Sequence, residues 1–200
     1  MGLTLIYQAL SDRSSLFIRL QQDERIAFLY AYLFNHGGGP FSWALIRDDL
    51  EEVLAGIAED GNGFASRAEV DRVFEDLLGE LDELRSNHPG AERRAAFLEK
   101  VHDEIRDSLA GTIEGKARCD GPGLVNRLLY GERRIFPHPD HPLDLVPYTT
   151  VELGSQILRS IEPQVLFPRP EQDYLREDYG CWRDMYLAAF AHREVVVVGR

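Results

Sequence analysis

Between Val70 and Leu84 the apolar residues Val70, Val73, Phe74, Leu77, Leu78, Leu81 and Leu84 recur three or four positions apart. A 3.6-residue repeat puts them on one side of an α-helix. The opposite side reads Asp71, Glu75, Asp76, Asp82 and Glu83. Upstream, Leu45, Leu50, Val53, Leu54 and Ile57 keep the same spacing until Gly61, Asn62 and Gly63 interrupt it. The pattern predicts an acidic helical hairpin, an embellishment of residues 40–90 on a single domain spanning residues 1–200.

Charge is concentrated there. The chain carries 22 basic and 34 acidic side chains, a net −12. Residues 48–83 hold thirteen acidic residues against Arg67 and Arg72, which is −11, so the remainder is close to neutral. Such a surface repels phosphate backbones and excludes ordinary nucleic-acid binding. It attracts cations or a basic protein partner, chiefly by steering. The bland reading is a solvated helix face. Glu75, Asp76, Asp82 and Glu83 are the candidate protein-binding residues.

The glycine break raises a second question. With Glu69 as the last residue of a twelve-residue loop, Asp60, Asn62, Gly63, Ser66 and Glu69 fall on the ligand and turn positions of an EF-hand. Asp60, Asn62, Ser66 and Glu69 are therefore candidate cation ligands. Ala58 stands where the first aspartate belongs, and there is no second loop. The alternative is a glycine turn followed by an S-x-x-E capping box, Ser66 to Glu69.

Elsewhere the pattern is helical with a few strands. Residues 3–9 read as a strand, and Ser11 or Asp12 caps a helix to about Gln22. A very apolar helix runs from Glu24 to Phe34, a further helix from Ala91 to Leu109, and a short one over residues 124–132. One strand is expected at Leu143–Val146. Thr149 and Glu152 form a T-x-x-E box opening a helix to about Ile161. Residues 163–180 look irregular, Trp182–His192 helical, and Val195–Val198 a buried strand. The expected fold is α+β: predominantly helical, with a small mixed sheet that includes the N- and C-terminal strands.

Several separated stretches carry a likeness. LEKVHDEIRDSLAGT (98–112), GLVNRLLYGERRI (123–135), LVPYTTVELGSQILRSI (145–161) and the closing YLAAFAHREVVVVGR resemble, in order and spacing, the YfbM-like family of uncharacterised bacterial proteins. His102 departs from it, standing where that family has tryptophan. The resemblance implies a compact α+β fold and no activity, and it leaves residues 23–97 uncovered.

Chemistry-bearing groups are sparse. His138, Asp140, His141 and Asp144 form the one dense histidine–carboxylate cluster. His138, Asp140 and His141 are candidate metal ligands, although thiolates and four-ligand zinc spacing are missing. His102, Cys119, His138 and His141 are the candidate catalytic residues of a small enzyme, with Lys116 and Arg118 close enough in sequence to activate the thiol. His36-Gly37-Gly38-Gly39 is similar to an esterase oxyanion loop, but no G-x-S-x-G follows, so a helix stop is the better reading. Tyr174, Tyr179, Trp182 and Tyr186 read as core packing or a pocket wall. Cys119 and Cys181 form no framework and fit a reducing cytoplasm. No apolar stretch reaches the roughly 18 residues of a membrane span. No cofactor is expected. The leading expectation is a non-enzymatic cytoplasmic protein that binds a basic partner through its acidic hairpin, a toxin-neutralising immunity protein being one instance. The alternatives are a small enzyme using the His/Asp or Cys groups, and a loop that binds a cation weakly.

Overall fold

A computed structural model describes residues 4–36, 47–59, 63–99, 101–113 and 121–200. Its centre is a five-stranded sheet of β1 (Thr4–Leu10), β2 (Ala95–Glu99), β3 (Arg133–Phe136), β4 (Leu143–Val146) and β5 (Val195–Gly199), in the order β2-β1-β5-β4-β3. Every pairing is antiparallel, with Tyr7 opposite Val198 and Leu145 opposite Val197. The N- and C-terminal strands share the sheet, as expected, and lie side by side in it, but the sheet is antiparallel rather than mixed. The difference lies in the connections: long helical excursions return β2 beside β1 and β5 beside β4 in the opposite sense.

Alternation along the strands feeds two cores. Ile6 and Leu10 of β1, with Val195 and Val197 of β5, face one side. Leu5, Tyr7 and Ala9, with Val196 and Val198, face the other. The first side is covered by α1 (Ser15–Gln22), α2 (Glu24–His36), α3 (Arg47–Glu59) and α4 (Arg67–Asn87). The second is covered by α5 (His102–Ile113), α6 (Gly121–Tyr130), α7 (Tyr148–Leu158), α8 (Pro163–Leu166) and α9 (Asp173–His192).

The first side is built outward in steps. α1 and α2 lie on the sheet, α4 packs on both of them, and α3 packs on α4. The predicted hairpin is thus present, yet α4 is part of the core rather than an appendage. Val70, Val73, Phe74, Leu77, Leu81 and Leu84 are all buried. Only α3 is peripheral.

Four local expectations are overturned. The helix foreseen over 91–109 is a 3₁₀ turn at Ala91–Arg93, then β2, then α5. Ala96 and Leu98 point inward and Phe97 is exposed, a two-residue alternation that the open edge of β1 converts into a strand. The helix after β4 starts at Tyr148 with Pro147 as its N-cap, so Thr149 lies inside it and does not open it. Ser14, not Ser11 or Asp12, caps α1 by accepting the Phe17 N–H. Residues 163–180 contain α8 and the first turns of α9.

Two junctions hold the sheet to its surroundings. Arg94, entering β2, donates to both oxygens of Glu194, entering β5, at 2.7 and 2.6 Å, and both residues are buried. Gly131 has φ of 81°, and a Cβ there would lie 2.5 Å from Asp144 Cβ, so the chain can turn from α6 into β3 only at glycine.

Candidate functional site

The candidates from the sequence do not gather in one place. His102, at the start of α5, is buried edge-on against Tyr130 on the α5–α9 side, with Nδ1 unpartnered among the described residues. His138 and His141 follow β3 on the other side of the sheet, where they meet Phe28 of α2. A catalytic set combining His102 with His138 or His141 is therefore not assembled. Cys119, Lys116, Arg118, Asp120, Asp60, Asn62 and the glycines at 37–39 lie outside the described residues. Cys181 is exposed on α9, and partial burial followed by the charges of Glu177, Asp178 and Asp184 pushes its thiol up, away from the reactive thiolate. Ser155 is fully buried and donates to the Tyr186 carbonyl at 3.0 Å, a structural bond.

The two histidines of the HPDH stretch stack. Their rings are 5.4 Å apart and 13° from parallel, and Phe136 continues the column 5.8 Å beyond His138. Imidazole binds a metal through lone pairs in the ring plane, so stacked rings aim along parallel planes and not at one ion. His138 Nδ1 also accepts the backbone N–H groups of Asp140 and His141, at 3.2 and 3.1 Å. It closes the turn. Among the described residues no group of three His, Cys, Asp or Glu side chains is placed to hold a metal ion.

The loop before α4 meets this turn. Phe64 is buried 6.0 Å from Phe28, and Phe28 lies 5.2 Å from His138. Beside them opens a cavity of about 810 Å³, lined in part by Asp23, Arg25, Phe28, Gly63, Phe136 and His138. Its arginine is already committed. Arg25 donates to Glu69 Oε1 at 2.6 Å, while Glu69 Oε2 accepts the Ala65 N–H at 2.8 Å. These two contacts, the Ala65 amide first, hold the Glu69 carboxyl below the usual carboxylate range. Ser66 accepts the Glu69 N–H at 3.3 Å. The capping half of the Ser66–Glu69 box is thus formed, while the glutamate reaches back to Ala65 rather than to Ser66. A carboxylate spent on an arginine and a backbone amide is not a spare bidentate calcium ligand.

The second concavity is a groove of about 650 Å³ between α3 and α4. Leu50 and Leu54 of α3 and Phe74 and Leu78 of α4 line its floor, and Glu51, Asp71, Glu75 and Asp82 line its rim with Arg67 and Arg85. Arg67 straps the two helices together, donating to Asp71 at 2.7 Å and to Glu51 at 2.9 Å. Arg85 meets Asp82 at 3.2 Å. Glu75 has no ionic partner among the described residues.

The four candidate binding carboxylates therefore divide. Glu75 and Asp82, seven residues apart, share the groove side. Asp76 and Glu83 lie toward α1, where Arg19 reaches Asp76 at 3.7 Å and Glu80 at 3.0 Å. Arg19 and Arg25, which organise this side together with Arg67, went unremarked in the sequence. Of their pairings the i, i+4 spacings of Arg19 with Asp23 and of Arg67 with Asp71 are local in sequence.

No helix among the described residues is long and apolar enough to cross a membrane. No family model matches the chain, and neither a curated protein nor a solved structure does, so no residue role passes to it from a relative.

Proposed function

We propose that this chain is a non-enzymatic cytoplasmic binding protein whose α3–α4 unit meets a basic protein partner, an immunity-type neutraliser being one instance. The single observation behind this reading is the −11 carried by residues 48–83, most of it on the two outermost helical layers of one side of the sheet. A surface of one sign accelerates encounter with the opposite sign and disfavours nucleic acid, anionic membranes and a second copy of this chain. The kinship with YfbM-like proteins stays a proposal of the residues alone and adds no activity.

The test is affinity capture with wild-type protein and with the quadruple variant Glu75→Lys, Asp76→Lys, Asp82→Lys, Glu83→Lys. Retained proteins are identified by mass spectrometry and re-bound in purified form at low and high salt. A basic partner held by wild type, released by salt and lost by the variant supports the reading. An unchanged set of partners at low salt sinks it.

A further inference from the structure

One outer edge of the sheet is guarded and the other is not. β3 carries the exposed Arg133 and Arg134, a register shift between Arg134 and Phe136, and Pro137 directly after it. Charges, bulges and prolines keep a free edge from pairing with another chain. β2 has none of them between Ala95 and Leu98. Its ladder with β1 fixes which groups point outward. Ala9 donates to the Arg94 carbonyl at 2.9 Å. The alternation of an antiparallel pair then turns the N–H and C=O of Ala96 and Leu98 toward β1, and those of Ala95 and Phe97 away from it. Neither Ala95 nor Phe97 has another backbone partner among the described residues. The Phe97 side chain is exposed, on the same side of the sheet as Ile6 opposite it. Backbone groups at this spacing determine what covers them. An extended strand presents matching N–H and C=O groups along its flank, and a helix does not.

The end of β2 adds a sign. Glu99 lies near Asp178 of α9, which is half-buried and has no ionic or hydrogen-bonding partner among the described residues. Burial, then the charges of Glu177 and Glu99, push the Asp178 carboxyl up. A cation relieves that crowding. A second copy of this chain is a poor occupant. The antiparallel register that sets Phe97 on its own copy places Ala95, not a cation, against Glu99, and −12 meets −12.

We infer that the outer edge of β2 pairs with an extended strand of the partner, antiparallel like the rest of the sheet, with an apolar residue opposite Phe97 and a Lys or Arg beside Glu99 and Asp178. The inference rests on the basic-partner reading above for the charge of that strand, and it adds a second contact just beyond α4 in the chain.

The probe is a fluorescently labelled nine-residue peptide in which Val alternates with Thr and Lys fills the two positions before the central Val. Two further forms carry an N-methyl group, one on the central Val amide, which faces β2, and one on the next amide, which faces away. Anisotropy is followed with wild type, Phe97→Ser, Glu99→Gln/Asp178→Asn and the quadruple α4 variant, each checked by circular dichroism. The inward methyl weakens binding about tenfold, since it removes a ladder bond and blocks close approach. The outward methyl changes it by less than about threefold. Phe97→Ser costs about threefold, as for a cross-strand pair, and Glu99→Gln/Asp178→Asn flattens the salt dependence. Equal effects of the two methyl groups overturn strand pairing, and so does a peptide that wild type fails to bind. A loss confined to the quadruple variant overturns the edge but leaves the basic-partner reading intact, since α4 alone would then hold the lysines. A concentration-dependent dimer in sedimentation, abolished by Phe97→Ser, overturns it too by giving the edge to a second copy. In each case the captured partner, which presumes no strand, decides the broader reading on its own.

Discussion

The two sides of the sheet solve the same burial problem with different chemistry. On the α5–α9 side the polar tips of large aromatics are tied inward to backbone. Tyr7 donates to the Leu129 carbonyl at 2.9 Å, Tyr186 to Leu128 at 2.6 Å and Tyr179 to Ile161 at 3.0 Å. Trp182 sits among them, 4.9 Å from Tyr186 and 6.2 Å from Tyr7. On the α1–α4 side the interior is aliphatic and aromatic too, but the helices are cross-linked at their surfaces by arginines: Arg19 to Glu80, Arg25 to Glu69 and Arg67 to Glu51. The α5–α9 side has arginine links too, Arg183 to Glu162 and Arg176 to the Phe167 carbonyl, both at 2.7 Å. What sets it apart is the set of buried neutral hydrogen bonds. In the proposed reading, recognition belongs to the α1–α4 side and scaffolding to the α5–α9 side.

The strongest way to break the comparison is to empty the scaffold. Trp182→Ala leaves a cavity in a fully buried cluster, and such truncations cost about 3–5 kcal/mol. Urea unfolding should show that loss, while no comparable loss follows truncation of a surface arginine on the other side, where exposed pairs contribute about 0–1 kcal/mol. Similar losses at both would erase the distinction.

A next test lies where the two sides join. Arg94→Ala strands the buried Glu194 carboxylate, and breaking such a pair costs about 3–5 kcal/mol. The double variant Arg94→Met/Glu194→Leu should recover most of that in thermal unfolding. No recovery would mean that the pair supplies more than charge matching.

Alkali should act through buried tyrosines, most of them in the scaffold, with Tyr30 raised in the same way on the other side. Burial, the largest cause, raises the Tyr7, Tyr186 and Tyr179 hydroxyls well above their ordinary value. A raised folded pKa means the associated stability is complete below the unfolded tyrosine value of about 10 and is lost as pH rises beyond it. Stability measured from pH 9 upward should fall, and Tyr186→Phe should reduce the slope.

Acid should act on the other side, with the smallest effect. The Glu69 carboxyl is lowered by the Ala65 amide and then by Arg25. A depressed folded pKa means its contribution is present above the unfolded glutamate value of about 4.3 and lost as pH falls through the folded one. Hydrogen exchange at the Ala65 amide should quicken below that range, and Glu69→Gln should remove the pH dependence. An amide indifferent to pH would show that the Arg25–Glu69 link does not hold the loop.

Periodicity was the most legible feature. The Val70–Leu84 stripe could be read from its sustained 3.6-residue period, and the apolar α2 and the two terminal strands from their apolar composition. β2 could not, since Phe97, Leu98 and Val101 fit a helix as well as a strand until β1 offers an open edge. The Thr149–Glu152 box failed because the helix begins earlier, at Tyr148 behind Pro147, which leaves Thr149 inside it and not at its cap. For the candidate site, the acidic residues were plain, but their division between two sides of α4 was not.

Composition and spacing by themselves settled that most of the negative charge sits on two amphipathic helices and that the chain has a strand near each end. Those properties follow from local order along the chain. Only the tertiary structure decided which side chains stand in each other's way. It stacked His138 on His141 and placed His102 across the sheet from both. It spent Glu69 on Arg25, and it opened a groove between α3 and α4. Each depends on groups distant in sequence competing for one lone pair, one proton or one volume, and no spacing rule records that competition.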